Sequence, residues 1–203
     1  MSKSQTQPTL SLPSRAIGAV AKWASTDPNR THLHMVLFGV SEYVATDGHR
    51  MVIAPYRDDE NQPRKYAGRP FGVDALHLLG ALSARRAITG NESGDLALTP
   101  DGDGRVSIVI LPGVKMSVPD RNPADYPPYE RVIPSESPNS DTPVGRIFNP
   151  RFMAALAEVN DATVVGRETP GIKITAWDSS LLGPVMFENA AGVRFILMPM
   201  RAP

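Results

Sequence analysis

The sequence predicts an α+β fold built from a recurring unit: a short strand, one helix, then several antiparallel strands. Two observations predict it. Helix-start chemistry occurs at Pro13-Ser14, at Asp74 and at Asn149-Pro150, where proline suits the first turn and a short polar side chain suits the cap. Each of these starts is followed by short β-rich segments separated by turn residues. The unit recurs at about 10–56, 70–118 and 144–200. Identity between the three copies is low, so the repeat is one of pattern.

In order, residues 1–9 are polar and read as a flexible N-terminus. Leu10-Ser11-Leu12 is a short strand. A helix runs from Ser14 to about Ala24, with Ile17, Val20, Ala21 and Ala24 spaced three and four apart as its apolar stripe. Arg15 and Lys22 fall on the opposite face. Leu33 to Phe38 is a strand, and a hairpin follows over Tyr43–Ile53. Arg57 to Pro70 is an exposed loop. Phe71-Gly72-Val73 leads into a second helix with Asp74 at its start, where a carboxylate suits the helix dipole. Leu76, Leu78, Leu79 and Leu82 give that helix a broad apolar face, and Arg85 and Arg86 lie near its end. Strands follow at Asp95–Thr99, Arg105–Leu111 and Val114–Val118. The intervening DGDG, residues 101–104, is a hairpin turn. It is a poor calcium loop, because Pro112 stands where the twelfth-position Glu would be.

Pro119 to about residue 143 is rich in Pro, Asp, Asn and Ser and reads as a linker. The pattern then returns with a strand at Val144–Phe148 and a helix from Pro150 carrying Phe152, Leu156 and Val159 on its apolar stripe. Strands follow at Ala162–Val165, Gly171–Trp177, Gly183–Glu188 and Val193–Met198. The expected organisation is one complete two-unit domain over 10–118, a linker over 119–143 and a single unit over 144–203.

Bulk properties narrow the function. The 203 residues carry 21 Lys+Arg and 21 Asp+Glu, a net charge of zero, which opposes a protein that coats DNA by charge alone. There is no cysteine, hence no disulfide framework and no thiolate metal site. The N-terminus lacks the apolar stretch of a signal peptide, and no run approaches a membrane span, so a cytoplasmic location is expected.

The stretch Tyr43–Val52, YVATDGHRMV, is the most informative. By itself it is a strand, a DG turn and a second strand with a solvated tip. ATDGHR followed by an apolar residue nevertheless resembles the signature of the bacterial DNA sliding clamps, the β-subunit family of DNA polymerase III. The segment Tyr126–Pro134, YPPYERVIP, is similar to that family's interdomain linker. Phe195–Arg201, FILMPMR, is similar to its C-terminus. The three stretches come in the family's order and at compatible spacing.

The resemblance implies the clamp fold, with antiparallel sheets outside and helices lining an inner face. It covers the family's second domain and the last half of its third. It implies a non-enzymatic processivity factor without cofactors that encircles double-stranded DNA regardless of sequence. It also implies capture of short peptide motifs of polymerases and other DNA-metabolism proteins, and it leaves room for a clamp loader. The implied peptide pocket is lined by Leu33, Thr46, Gly48, His49, Arg50 and Met51, by Pro127, Arg131 and Val132, and by Ile196, Leu197, Met198, Pro199, Met200 and Arg201. The implied DNA-facing cations are Arg15, Lys22, Arg85, Arg86 and Arg151, the last sharing its face with Glu158. Ala202-Pro203 departs from the larger apolar residue with which the family usually ends.

Clamp rings use about six domains, or twelve units, so three units per chain imply a homo-oligomer, a tetramer in preference to a trimer. The alternative is a clamp-derived regulator that keeps the peptide pocket or joins another ring without encircling DNA. An acid–base pair of Asp47 and His49 is disfavoured by their spacing across a tight turn and by the lack of a nucleophile motif. A zinc site of His32, His34 and His49 has no evident fourth ligand, so no metal is expected.

Overall fold

The computed structural model describes residues 8–58, 62–101, 103–134, 145–164 and 171–201. Among these the element order is β1 (Leu10–Pro13), α1 (Ser14–Ala21), β2 (Met35–Phe38), β3 (Glu42–Thr46), β4 (Arg50–Pro55), β5 (Phe71–Asp74), α2 (Ala75–Thr89), β6 (Asp95–Pro100), β7 (Arg105–Leu111), β8 (Val114–Pro119), α3 (Pro150–Thr163), β9 (Ile172–Trp177), β10 (Val185–Asn189) and β11 (Arg194–Leu197). Caps form where the sequence places them. Asp74 accepts the Leu76 amide at 3.0 Å and Asn149 accepts the Arg151 amide at 2.9 Å, each satisfying an orphan N–H of a first turn. Gly90 closes α2 at φ 74°, a left-handed conformation that glycine adopts freely.

The strands form two antiparallel sheets, of four strands in the order β1-β6-β7-β8 and of seven in the order β5-β2-β3-β4-β11-β10-β9. The first two units exchange their leading strands. β1, which enters α1, pairs with β6 behind α2, and β5, which enters α2, pairs with β2 behind α1. The third unit attaches differently. Its last strand, β11, pairs with β4, setting Phe195 opposite Val52 and Ile196 opposite Met51. The three helices lie side by side with α1 in the middle.

One core fills the space between helices and sheets, drawing Trp23, Phe71, Leu78, Leu96, Val159 and Phe195 from all three units. A second cluster lies on the other face of the long sheet, where Met35, Leu37, Val44, Met51, Ile53 and Ile196 are covered by Tyr126, Tyr129 and Ile133 of the linker. β2 and β4 are therefore apolar on both faces, and each fully buried side chain there stabilises by roughly 1.5–3 kcal/mol. The linker's described part is packed onto the sheet and anchored through Glu42. That carboxylate accepts the Tyr129 hydroxyl at 2.9 Å and Arg194 Nη2 at 2.6 Å.

Several expectations need correction. The strand expected at 144–148 is a single bridge, Ile147 to Met200, with Val144 outside the described residues. No strand covers Ala162–Thr163, because α3 continues there, its end held by Thr163 Oγ1 donating to the Val159 carbonyl at 2.9 Å; Val165 lies outside the described residues. Leu33 sits in a 3₁₀ turn rather than in β2. α1 ends at Ala21, three residues early, and Trp23 and Ala24 continue in turns. Leu76 is 71% exposed, so the buried face of α2 is Ala75, Leu78 and Ala81, with Leu79 and Leu82 packed at its side. Residues 1–7, 135–144, Gly102 and Ala202-Pro203 lie outside the described residues.

Candidate functional site

The turn between β3 and β4 is built from its own side chains. Thr46 Oγ1 accepts the Gly48 amide at 3.0 Å and donates to the Arg50 carbonyl at 2.7 Å. Asp47 Oδ1 accepts the amides of His49 at 2.9 Å and Arg50 at 3.1 Å. Gly48 has φ 91°, which an L side chain rarely adopts, and Arg30 Nη1 donates to the Asp47 carbonyl at 3.0 Å beneath it. Arg50 then reaches away from the turn. Its Nη2 donates to the Lys22 carbonyl at 3.1 Å, and its guanidinium lies 4.9 Å from the centre of the Trp23 ring and 5.2 Å from that of Phe152. The turn is thus tied to α1 and α3.

Two distant segments meet beside this turn. The Met198 amide donates to the His49 carbonyl at 2.9 Å, which brings the chain leaving β11 alongside the turn. The linker crosses the sheet at Tyr126–Val132. Between them is an open pocket of about 300 Å³, lined by His32, Leu33, Thr46, Gly48, His49, Arg50, Met51, Pro127, Pro128, Tyr129, Val132, Ile196 and Met198. Its floor is apolar and its rim holds His49 and Arg50. Val132 is exposed and Met198 half-buried, whereas Met51 and Ile196 are buried in the floor.

Of the residues implied by the resemblance, Leu33, Thr46, Gly48, His49, Arg50, Met51, Pro127, Val132, Ile196 and Met198 line this pocket. Five do not. Leu197 is fully buried in the main core, because it alternates with Ile196 across β11. Arg131 is exposed beside the pocket. Pro199, Met200 and Arg201 continue past it, with the Met200 amide donating to the Ile147 carbonyl at 2.7 Å. His32, Pro128 and Tyr129 are lining residues that sequence reasoning missed. The double proline and second tyrosine of the linker motif were the available signal for the latter two. Burial, aided by the neighbouring Glu42 carboxylate, holds the Tyr129 hydroxyl in its protonated form well above the usual range.

The implied DNA-facing cations lie around the helix layer. Lys22 pairs with Glu158 across α1 and α3, and Arg86 Nη1 donates to Glu92 at 2.9 Å. Arg85 turns toward the four-stranded sheet, where its Nη1 donates to the carbonyls of Asp95 at 2.7 Å and Ile110 at 3.1 Å. Arg15 and Arg151 are exposed. A groove of about 270 Å³ between the helices is lined by Arg15, Lys22 and Arg86 together with Glu92 and Glu158.

His49 Nδ1 stands 3.9 Å from Asp47 Oδ1, beyond hydrogen-bond reach, and that oxygen is already engaged by two amides. His34 Nε2 is 2.7 Å from the Asp27 carbonyl oxygen. Among the described residues no three His, Asp or Glu converge as a metal site.

The fold is that of the bacterial DNA sliding clamps. The chain is similar over its whole length to the DNA polymerase III β subunit of Thermotoga maritima, with TM-score 0.67 and 17% identity, covering 68% of that chain. It is similar likewise to the β subunit of Borrelia burgdorferi, solved in complex with a natural product, with TM-score 0.68 and 14% identity, covering 66% of that chain. The sliding clamp of Caulobacter crescentus matches with TM-score 0.66 and 16% identity, all of this chain covering 68% of that one. The chain therefore spans about two thirds of the length of these clamps, and at such identities the likeness is one of fold. No family model matches the sequence, and no curated protein sequence matches it.

Proposed function

We propose that the chain is a reduced DNA sliding clamp. It captures short linear peptides of DNA polymerases and other DNA-metabolism proteins and encircles duplex DNA as a homo-oligomeric ring. The observation that carries this reading is the apolar pocket where the TDGH turn, the linker and the C-terminal segment meet. Leu33, Val132 and Met198 offer adaptable apolar contacts for the anchors of an extended peptide, and His49 at the rim orients its polar backbone. The pocket has no use for a cofactor or metal, and the protein acts as a scaffold. Arg15, Lys22, Arg86 and Arg151 would meet phosphates without reading bases. Four chains of three units reach the twelve units of a clamp ring, which favours a tetramer over a trimer. The same reading sets the protein in the cytoplasm, and no helix among the described residues is long and apolar enough to cross a membrane.

The test is fluorescence anisotropy with a labelled polymerase-derived clamp-binding peptide. Saturable binding that is lost with a scrambled peptide supports the reading. Equal binding of both peptides overturns it.

One observation favours the second reading, a regulator that holds peptides without encircling DNA: Lys22 and Arg86 are each paired with a carboxylate, so the helix groove presents little free positive charge. Retention on DNA separates the two. A ring stays on a closed circle and slides off once the circle is cut, whereas a peptide-binding regulator is retained on neither.

A further inference from the structure

We propose that two copies of the chain complete a clamp domain between them about a two-fold axis, each inserting residues 145–148 against the β9 edge of the other. This inference rests on the fold and on the way the units exchange strands, and it is independent of peptide capture.

In the complete domain, the strand before each helix pairs with the first strand after the other helix: β5 with β2, and β1 with β6. Among the described residues, the first strand after α3 is β9, and it stands at the end of the seven-stranded sheet with no strand beyond it. The segment before α3 is the matching piece. Ile147 lies two residues before the Asn149 cap, as Gly72 lies two before the Asp74 cap. Gly72 accepts the amide of Arg121, just after β8, at 2.9 Å, and Ile147 accepts the amide of Met200, just after β11, at 2.7 Å. Residues 145–148 therefore occupy the place that β5 holds in its own unit. β5 also has β2 on its other edge, whereas among the described residues no strand lies on the far edge of 145–148.

The helix layer shows the same vacancy. α1 has α2 on one side and α3 on the other, while among the described residues no second helix packs closely beside α3. Between α1 and α2 the close approach is Gly18 to Leu82, with Leu82 Cδ1 3.0 Å from where a Gly18 Cβ would be. These positions lie five and eight residues past the caps Pro13 and Asp74. The same steps from Asn149 reach Ala154 and Ala157, both exposed on α3 and small enough for a second helix to approach. Met153, Ile147 and Ile174 are exposed on the same unit, at 40%, 44% and 45%.

Each chain carries both the open edge and the segment that fits one, so the surface is self-complementary, as an isologous two-fold interface requires. It would pair the exposed amides and carbonyls of β9 and cover the apolar residues. Two chains joined this way present three whole domains, with a β8 edge at each end.

The test is light scattering on the full chain, with variants Ala154→Arg and Ile174→Lys, and Ile88→Lys as the exposed control on α2. Circular dichroism and thermal melts establish that each variant is folded. The expected wild-type mass is an even multiple of the 21.9 kDa chain, halved or reduced to one chain in A154R and I174K and unchanged in I88K. The chain has no cysteine, so an Ala154→Cys/Ala157→Cys double variant should yield a disulfide-linked dimer on oxidation. A monomer at high micromolar concentration, a trimer, or an assembly untouched by both A154R and I174K would overturn the proposal. Peptide binding by the dissociated variants is expected to persist, because the pocket lies within one chain, so its loss or retention is read separately from the mass.

Discussion

Arg50 Nε donates to Asp47 Oδ2 at 2.8 Å, so a single carboxylate both shapes the turn beside the pocket and aims the guanidinium at Trp23 and Phe152. The pair is mostly buried, with side chains 16% and 20% exposed. Replacing Asp47 by Ala removes acceptors for two amides and leaves Arg50 without its carboxylate. We expect a loss of about 2–3 kcal/mol, from charge-assisted bonds and unsatisfied donors, measured by urea denaturation. Asn at the same position should retain part of that stability, since one amide oxygen can still accept the backbone N–H groups.

Gly48→Ala tests the turn more narrowly. At φ 91° an added Cβ would meet Arg30 Nη1 at 2.5 Å. The left-handed conformation alone costs about 1–2 kcal/mol for an L residue, and Arg30 must also give up the Asp47 carbonyl. The expected result is a lower midpoint in urea and weaker peptide binding, the latter because His49 moves with the turn. Unchanged affinity with reduced stability would show that the rim does not orient the peptide.

Met198→Ala and Ile196→Ala should behave differently although both residues line the pocket. Met198 is half-buried at the rim, and its truncation should lower peptide affinity about tenfold, equivalent to roughly 1.4 kcal/mol, with little effect on folding. Ile196 is 2% exposed and packs against the linker, so its truncation should cost about 2–5 kcal/mol of stability. Isothermal calorimetry and denaturation, run on both variants, separate the two effects.

Much of this arrangement could be read in the sequence because the informative residues are local. The TDGH turn, the Asp74 and Asn149 caps and the strands after each helix follow from short-range chemistry. The errors arise where tertiary context decides. Ala16 and Ala19 of α1 are buried as well as its expected stripe, because α1 is flanked by helices on both sides. Leu76 is exposed because it sits two residues past the Asp74 cap, away from the face that holds Leu78 and Ala81. Arg85 could not be told from a solvent-facing cation, since its acceptors are backbone carbonyls of β6 and β7. The β4–β11 pairing, which gathers the pocket, joins residues about 140 apart and leaves no periodicity that a single sequence reveals.

Alkaline pH should unfold the protein through its tyrosines. Burial raises the phenols of Tyr43, Tyr56, Tyr126 and Tyr129 far above their usual range. The folded state thus holds protons that the unfolded chain releases near pH 10. Stability is therefore full below that pH and falls as pH rises above it, by about 1.4 kcal/mol per unit for each such group. Tyr126 isolates one contribution, because its hydroxyl is buried without a hydrogen-bond partner among the described residues. Tyr126→Phe should be neutral or slightly stabilising at neutral pH and should flatten the decline above pH 10, as followed by thermal melts across the range.

The pairing of Lys22 with Glu158 gives the clamp reading a test by gain. Both side chains are about half exposed, so the ion pair itself contributes little to folding. For DNA the pair matters more, since Glu158 neutralises a cation on the helix layer and repels phosphate. Glu158→Ala should leave the melting temperature nearly unchanged and strengthen association with duplex DNA at low salt. The dependence on salt concentration should also steepen, as one more cation becomes free to displace a counterion. Combining Arg15→Ala with Lys22→Ala should do the reverse and leave peptide affinity intact. If DNA association responds to neither change, the helix layer is not the DNA-facing surface, and the regulator reading gains.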